Sequence, residues 1–169
     1  MIEVTCGKNR YSAEEVIEQY HDMLYRLAMI RINHSEDAKD VVQDTFMKLL
    51  IYIKKGHVFQ DEEHLKAWLL TVAVNRGKSM MSLAWNRKTE GLENVKEMSV
   101  PEVPEQYAYE YVLKLPEKYR IVINLFYYEQ LSTDQIAAII KQKPATVRSY
   151  LHRGREKLKK MMEEDGYVG

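Results

Sequence analysis

The chain has little of several features on which protein function often depends. It has one cysteine, Cys6, so an internal disulfide is excluded, and a single thiol cannot by itself form a zinc site. Charged residues interrupt every apolar run well before the roughly 18 residues that a membrane helix needs. The N-terminus also lacks the apolar core of a secretory signal. We therefore expect a cytoplasmic protein in which the Cys6 thiol is incidental, near a loose end of the chain.

Signatures of catalysis and metal binding are also missing from the sequence. The histidines are scattered, with no pair at the helical spacing of metal ligands, and no nucleophile elbow or glycine-rich phosphate loop is present. We predict that the protein is not an enzyme and has no catalytic residue, metal site, cofactor or small-molecule substrate.

Positive and negative charges balance over the whole chain but not along it. The 25 Lys and Arg residues and the 25 Asp and Glu residues give a formal net charge of zero. Between Lys141 and Lys160, however, eight basic residues stand against one acid, Glu156. A basic helix is most often a solvated charged face. Whether this basic segment binds a partner must therefore be inferred from the residues that flank it.

Residues 131–158 have the pattern of a helix-turn-helix. Ser132 and Gln135 form a capping box at the start of the first helix, and Pro144 suits the first position of the second. The outward face of the second helix carries donors suited to base edges and phosphates. They are Thr146, Arg148, Ser149, His152, Arg153 and Arg155. The capped first helix and the short turn favour duplex DNA as the partner.

Helical periodicity runs through residues 12–85 without convincing strand alternation, which predicts an all-α fold. A capping box at Ser12 opens a first helix that we expect to end near Asn33, and Ser35 is expected to cap the second. One face of the second helix is acidic and polar. It carries Asp37, Asp40, Gln43, Asp44 and Met47. Acids at a helix start usually serve only the helix dipole, but two of these acids lie beyond the first turn, which permits a docking surface for a basic partner.

A loop predicted over residues 54–63 precedes a third helix, from about His64 to Asn86, whose C-terminal half is cationic. The cations and the aromatic residue among them are Arg76, Lys78, Trp85, Arg87 and Lys88. Cations beside an aromatic ring suit single-stranded nucleic acid, because bases stack on the ring while the phosphates are neutralised. Cations placed for the dipole of a helix C-terminus would explain only the last two.

Residues 89–105 hold five Glu against one Lys, together with two prolines, and show no helical stripe. This composition predicts a flexible acidic linker. We therefore divide the chain into two small helical domains, at 12–88 and 106–162. Helices predicted over 107–113 and 116–128 would complete the second domain around the helix-turn-helix.

Four sequence strings, in this order, resemble the extracytoplasmic-function (ECF) group of bacterial RNA polymerase sigma factors. They are DAKDVVQDTFMKL at 37–49, AWLLTVAVN at 67–75, LPEKYR at 115–120, and LSTDQIA with TVRSYLHRGREKL in the helix-turn-helix. The resemblance extends over nearly the whole chain, from Ser12 to Met162. It implies a polymerase subunit without a catalytic group of its own, which directs core polymerase to specific promoters and initiates transcription.

The resemblance also implies where each partner binds. The acidic face of the second helix would dock on core RNA polymerase. The loop and the third helix would capture the minus-ten element of promoter DNA, with Asn75 as a pocket asparagine and Phe59 as a loop aromatic. The second helix of the helix-turn-helix would lie in the major groove of the minus-thirty-five element, with Arg148 and Arg153 as leading candidates for base contacts. An anti-sigma protein is a further expected partner.

At some positions the chain departs from the family pattern. Ser79 stands where Asp is frequent, Lys141 where the turn usually has Gly, Lys143 where a Ser would cap the recognition helix, and Tyr150 where Arg or Lys is common. A lysine in a left-handed turn is strained by roughly 1 kcal/mol or more. We therefore predict a turn of different shape and one phosphate contact fewer.

A stand-alone helix-turn-helix regulator is the alternative. Such a protein binds duplex DNA by itself, usually as a dimer at a two-fold site. Residues 12–88 would then form a ligand-binding or dimerisation module. Neither kind of module calls for the cationic aromatic segment at 76–88.

Overall fold

The computed structural model describes residues 2–86 and 109–166, which belong to two separate compact units. Among them, residues 78–86 and Tyr109 are described by their backbone alone. The predicted linker at 89–105 lies outside the described residues.

The first unit consists of a β-hairpin followed by long helices. Its elements are β1 Glu3–Cys6, β2 Asn9–Ser12, α1 Ala13–Ile32, α2 Ser35–Lys54 and α3 Glu62–Asn86. The two strands are antiparallel, with Glu3 opposite Ser12 and Cys6 opposite Asn9. The three helices pack against one another, and the hairpin packs against α1 and α3.

Local sequence signals set the helix ends of this unit. Ser12 accepts a hydrogen bond from the Glu15 amide and the Glu15 side chain accepts one from the Ser12 amide, so the capping box that opens α1 is confirmed. Helix α1 ends at Asn33, as expected, and Asn33 adopts the left-handed conformation. The prediction that Ser35 caps α2 is wrong. His34 is the N-cap, because its Nδ1 accepts the Asp37 amide at 3.3 Å, and Ser35 is already helical.

The hairpin was not predicted, although the fold is otherwise helical as expected. Val4 and Cys6 alternate inward along β1 and are 0 % and 1 % exposed. The turn that follows needs Gly7, whose φ is +61°. Cys6 is therefore a core residue, and the interpretation of its thiol as incidental near a loose end is wrong. Burial also raises the pKa of the Cys6 thiol.

The second unit contains the helix-turn-helix. Its elements are α4 Tyr109–Leu113, α5 Glu117–Ile123, a single π-helical turn Asn124–Tyr128 that continues α5, α6 Thr133–Ile140 and α7 Pro144–Glu164. Helix α7 packs against α5 and α6. The core side chains between them are fully buried, namely Val122, Leu125, Ile136, Val147 and Leu158. The helix-turn-helix prediction is confirmed, including the capping box of Ser132 and Gln135.

Gly154 allows α7 to lie close to α5. A Cβ atom at this position would sit 3.3 Å from Cγ1 of Ile123 and 3.4 Å from Cβ of Tyr119. Within the described ranges, no helix has the length and apolar character required to cross a membrane.

Candidate functional site

The outward face of α2 combines acidic and apolar side chains. Asp40 and Gln43 are exposed, and Met47 is 54 % exposed. Ile51, one turn beyond Met47, is 51 % exposed and extends the same face. Large exposed apolar side chains beside polar ones are typical of a protein interaction surface. Sequence reasoning did not single out Ile51, although its spacing of four residues from Met47 was the available signal.

Two of the predicted docking acids already have partners inside the unit. Asp37 is only 17 % exposed at its side chain, and its Oδ2 lies 3.3 Å from Nδ1 of His34. Asp44 Oδ2 accepts a hydrogen bond of 2.6 Å from Nε of Arg76 on α3. The Asp44 and Arg76 side chains are 41 % and 30 % exposed. Asp40, Gln43 and Met47 are therefore the more open part of the predicted surface.

The ion pair between Asp44 and Arg76 joins the two predicted interfaces of the first unit. Asp44 was predicted to dock on polymerase and Arg76 to bind DNA, and in the structure the two side chains are hydrogen-bonded to each other. Because a carboxylate with a guanidinium is a strong, directional pair, this bond fixes where Arg76 lies on the surface. Asn75 is exposed beside it.

Arg31 anchors the backbone next to Asn75. This arginine of α1 is 4 % exposed, and its Nη1 donates to the Val74 carbonyl at 3.2 Å. Gly77 makes room for it, since a Cβ there would lie 3.0 Å from Cδ of Arg31. Sequence reasoning missed Arg31, because a cation within an apolar helical stripe gives no sign of the carbonyl that it will meet.

An aromatic cluster forms the base of the loop between α2 and α3. The His57 ring stacks on Tyr52 at 4.1 Å, and the Tyr52 ring lies 4.9 Å from Trp68. Phe59 packs among them, 5.6 Å from Tyr52 and 5.8 Å from Trp68, and is 1 % exposed. Its ring is thus closed to a DNA base in this structure, and its role as a loop aromatic stays a prediction. The neighbouring Val58 points outward and is 60 % exposed.

The hairpin holds this loop from the other side. The Phe59 amide donates to the Thr5 carbonyl at 2.9 Å, and the Gly7 amide donates to the Phe59 carbonyl at 2.8 Å. Where the loop meets α3, Glu62 Oε2 accepts hydrogen bonds from the Tyr11 hydroxyl at 2.5 Å and from Asn9 Nδ2 at 2.9 Å. The bond to Tyr11, followed by the bond to Asn9, lowers the pKa of the Glu62 carboxyl. The same carboxyl raises the pKa of Tyr11 to about 12.

The remaining predicted residues of this interface are only partly described. Lys78 and Trp85 belong to α3, whose backbone is described there without its side chains. Arg87 and Lys88 lie outside the described residues, as does the side chain of Ser79.

In the second unit, α7 turns a basic face away from the core. Val147 and Leu151 are buried, whereas Arg148, His152 and Arg153 are exposed. Thr146 and Ser149 are half-buried near the start of the helix. The N-terminal part of the second helix in a helix-turn-helix is the part that reaches base edges.

Arg155 contributes to packing within the second unit. Its Nε donates to the Tyr127 hydroxyl at 2.6 Å, and its guanidinium lies 5.5 Å from the Phe126 ring and 5.6 Å from the Tyr127 ring. These contacts connect α7 to the π-helical turn. The DNA contact of Arg155 stays a prediction.

In the turn between α6 and α7, Lys141 has the left-handed conformation that is strained for a lysine. Lys141 adopts the left-handed conformation, with φ 58° and ψ 48°, so the strain is retained and the turn is not reshaped to avoid it. Lys143 is the N-cap of α7 and makes no side-chain capping bond. Tyr150 packs edge-on against Tyr119 at 5.7 Å, which explains why an aromatic suits this position.

The described units define a DNA-binding protein in which one chain combines a helix-turn-helix with a second helical unit. Residues 16–86 match the family described as Sigma-70 region 2, and residues 105–158 match Sigma-70, region 4. The RNA polymerase sigma factor YlaC of Bacillus subtilis (strain 168) is 31% identical over 170 residues, which cover 92% of this chain and 94% of YlaC. The ECF RNA polymerase sigma factor SigW of the same organism is 27% identical, over 89% of this chain and 88% of SigW.

The chain belongs to the ECF group of the sigma-70 family of RNA polymerase sigma factors. A stand-alone regulator would not account for the match to region 2. The fold is also similar to that of the sigma factor RpoE from Bartonella quintana, solved in complex with the anti-sigma factor NepR. That likeness has a TM-score of 0.68 and 24% identity, and it covers 89% of this chain and 96% of the other.

Proposed function

We propose that this sigma factor docks on core RNA polymerase through the outward face of α2 and contacts promoter DNA with both of its units. The first domain, at 12–88, would bind the minus-ten element, and the second, at 106–162, the minus-thirty-five element. The protein would act in the cytoplasm and contribute binding energy and strand capture, while the chemistry of RNA synthesis stays with the polymerase.

The exposed α2 surface of Asp40, Gln43 and Met47 carries the docking proposal. The Asp40 carboxylate complements a basic partner, and the apolar side chains of Met47 and the adjacent Ile51 supply area whose burial is favourable. Asp44 has its own partner in Arg76, so it contributes to the surface mainly by fixing the position of α3.

Charge reversal on this surface tests the docking proposal. Asp40→Lys should weaken the affinity for core polymerase by on the order of tenfold, because a like charge is then placed against a basic partner. Glu18→Lys is the matched control, since Glu18 is an exposed acid on α1. Both variants should retain the helical circular dichroism of the wild type. Equal core affinities for the two variants, measured by fluorescence anisotropy, would refute docking through α2.

Asn75 and Arg76 support a minus-ten interface on α3. Extruding a base from the stack costs a few kcal/mol, which polar contacts and stacking must offset. The exposed Asn75 amide offers hydrogen bonds to a base, and the anchored Arg76 offers positive charge to phosphate. Lys78, Trp85, Arg87 and Lys88 continue this basic segment in sequence. The ring of Phe59, the predicted loop aromatic, is buried and gives this interface no support.

The exposed face of α7 supports the minus-thirty-five interface. Arg148, His152 and Arg153 lie on the side opposite the core, and Thr146 and Ser149 adjoin them. Arginine is the residue that most often reads guanine through two hydrogen bonds in the major groove. Arg155 contributes indirectly by fixing α7 to the rest of the unit.

An anti-sigma protein is proposed as a further partner. The support is the likeness of the fold to RpoE, which was solved with the anti-sigma factor NepR.

A further inference from the structure

We infer that the N-terminal hairpin, Glu3–Ser12, is a brace that sets the position of the loop between α2 and α3 and thereby strengthens capture of the minus-ten strand. The hairpin precedes the residues that match Sigma-70 region 2, which begin at residue 16. The effect of the hairpin on DNA binding rests on the proposed function. The effect of the hairpin on the position of the loop rests only on the contacts between them.

Backbone pairing is the first part of the brace. The loop passes alongside β1 as a short parallel bridge between Cys6 and Phe59. The bridge uses the amide of Phe59, which donates to Thr5 at 2.9 Å, and its carbonyl, which accepts from Gly7 at 2.8 Å. Two backbone bonds to a single loop residue fix its direction, and Phe59 is thereby directed into the core while Val58 stays outside.

Side-chain hydrogen bonds between β2 and the start of α3 are the second part of the brace. Glu62 at the first position of α3 receives both the Tyr11 hydroxyl and the Asn9 amide from β2. A carboxylate acceptor makes these bonds stronger than bonds between neutral groups. The loop is therefore held at Phe59 by β1 and at Glu62 by β2.

Gly7 is the residue that permits this contact. Its φ of +61° favours glycine, and a Cβ at this position would lie 2.6 Å from the Gln60 carbonyl oxygen. Since that atom belongs to the loop backbone, a side chain here must displace either the hairpin or the loop. Cys6 and Phe59, each 1 % exposed, would lose their close packing in the process.

A loop that is held in place binds more tightly, because the apparent affinity falls in proportion to the fraction of molecules in the competent conformation. The hairpin thus acts as a positioning element for α3 and the loop and makes no contact with DNA itself in this proposal. Loss of the brace should weaken minus-ten binding and leave docking on core polymerase unchanged.

The test compares Gly7→Ala with Gly166→Ala in the full chain. Gly166 also has a positive φ, +89°, but a Cβ there meets nothing within 4 Å, so it controls for backbone strain without a collision. Hydrogen exchange of the Phe59 amide, followed by NMR, measures whether the loop stays paired with β1. The affinity of the holoenzyme for a minus-ten non-template oligonucleotide measures the effect on DNA binding. Tyr11→Phe, which removes one bond to Glu62, is a milder variant in case Gly7→Ala does not fold.

We expect Gly7→Ala to remove the exchange protection of Phe59. Oligonucleotide binding should weaken by about tenfold if the loop then occupies its binding-competent conformation in about one tenth of the molecules. Tyr11→Phe should shift both measurements in the same direction by less, and Gly166→Ala should shift neither. Unchanged protection in Gly7→Ala and Tyr11→Phe would overturn the brace. Lost protection with unchanged DNA affinity would overturn its role in strand capture. If the wild-type holoenzyme fails to bind the oligonucleotide, the proposed minus-ten interface fails, and the exchange data still decide whether the hairpin holds the loop.

Discussion

Arg148 and Arg155 lie on the same helix and have the same chemistry, yet their surroundings differ. Arg148 is exposed, whereas Arg155 is held by the Tyr127 hydroxyl and lies beside two rings. A guanidinium in contact with aromatic faces contributes packing as well as charge. Arg155 thus contributes to packing of the unit, whereas Arg148 is open to a partner.

We predict that Arg148→Ala reduces discrimination at the minus-thirty-five element by about 1–3 kcal/mol, the usual size of a bidentate arginine contact to guanine. Run-off transcription from paired promoters that differ only in that element measures the effect. Thermal unfolding should be unchanged. Arg155→Ala is the control and should lower the melting temperature. Undiminished discrimination by the Arg148 variant would exclude Arg148 as a base contact.

The limits of sequence reasoning are clearest for single side chains. Asp40, Met47, Asn75 and Arg148 were identified as candidates from helical spacing or family resemblance, and the structure leaves all of them exposed. Phe59 was named from the family resemblance, which gave no sign that its ring packs against Tyr52 and Trp68 and is buried.

Partners that lie far apart in sequence could not be foreseen. The bond from Arg76 to Asp44, the bond from Arg155 to Tyr127 and the contact of Arg31 with Val74 all cross between elements. Periodicity specifies which face of a helix is outward. It does not specify which side chains of two neighbouring helices will meet.

At the scale of elements, helices were predicted well because their ends carry local chemistry. The capping boxes at Ser12 and Ser132 lie at the starts of α1 and α6, and Pro144 is the first residue of α7. The hairpin was missed because each strand has only four residues, too few for a period-two pattern to be distinguished. The hairpin packs on α1 and α3, and a local sequence pattern does not report such contacts.

The turn of the helix-turn-helix provides a stability prediction. Lys141 holds a left-handed conformation that glycine adopts without steric cost. Lys141→Gly should therefore stabilise the chain by up to about 1 kcal/mol, measured by urea denaturation. Lys159→Gly is the matched control in the interior of α7 and should destabilise by about 1 kcal/mol, because glycine is a poor helix former there. A loss of stability in the Lys141 variant would show that the left-handed lysine is not strained.

At the scale of the whole molecule, the formal charge of zero conceals two interfaces of opposite character. The α2 face of the first unit is acidic, and the α7 face of the second is basic. An acidic face complements a basic partner and a basic face complements the phosphates of DNA, so we expect the two faces to favour different partners.

The role of the chain as a promoter-selecting subunit can be measured by transcription in vitro with purified chain, core polymerase and genomic DNA of the bacterium that encodes it. We expect RNA that begins at a small set of start points, only when both the chain and the core enzyme are present. We further expect those start points to share elements near minus-ten and minus-thirty-five. RNA that begins at the same positions without the chain, or no specific start points with it, would contradict the account.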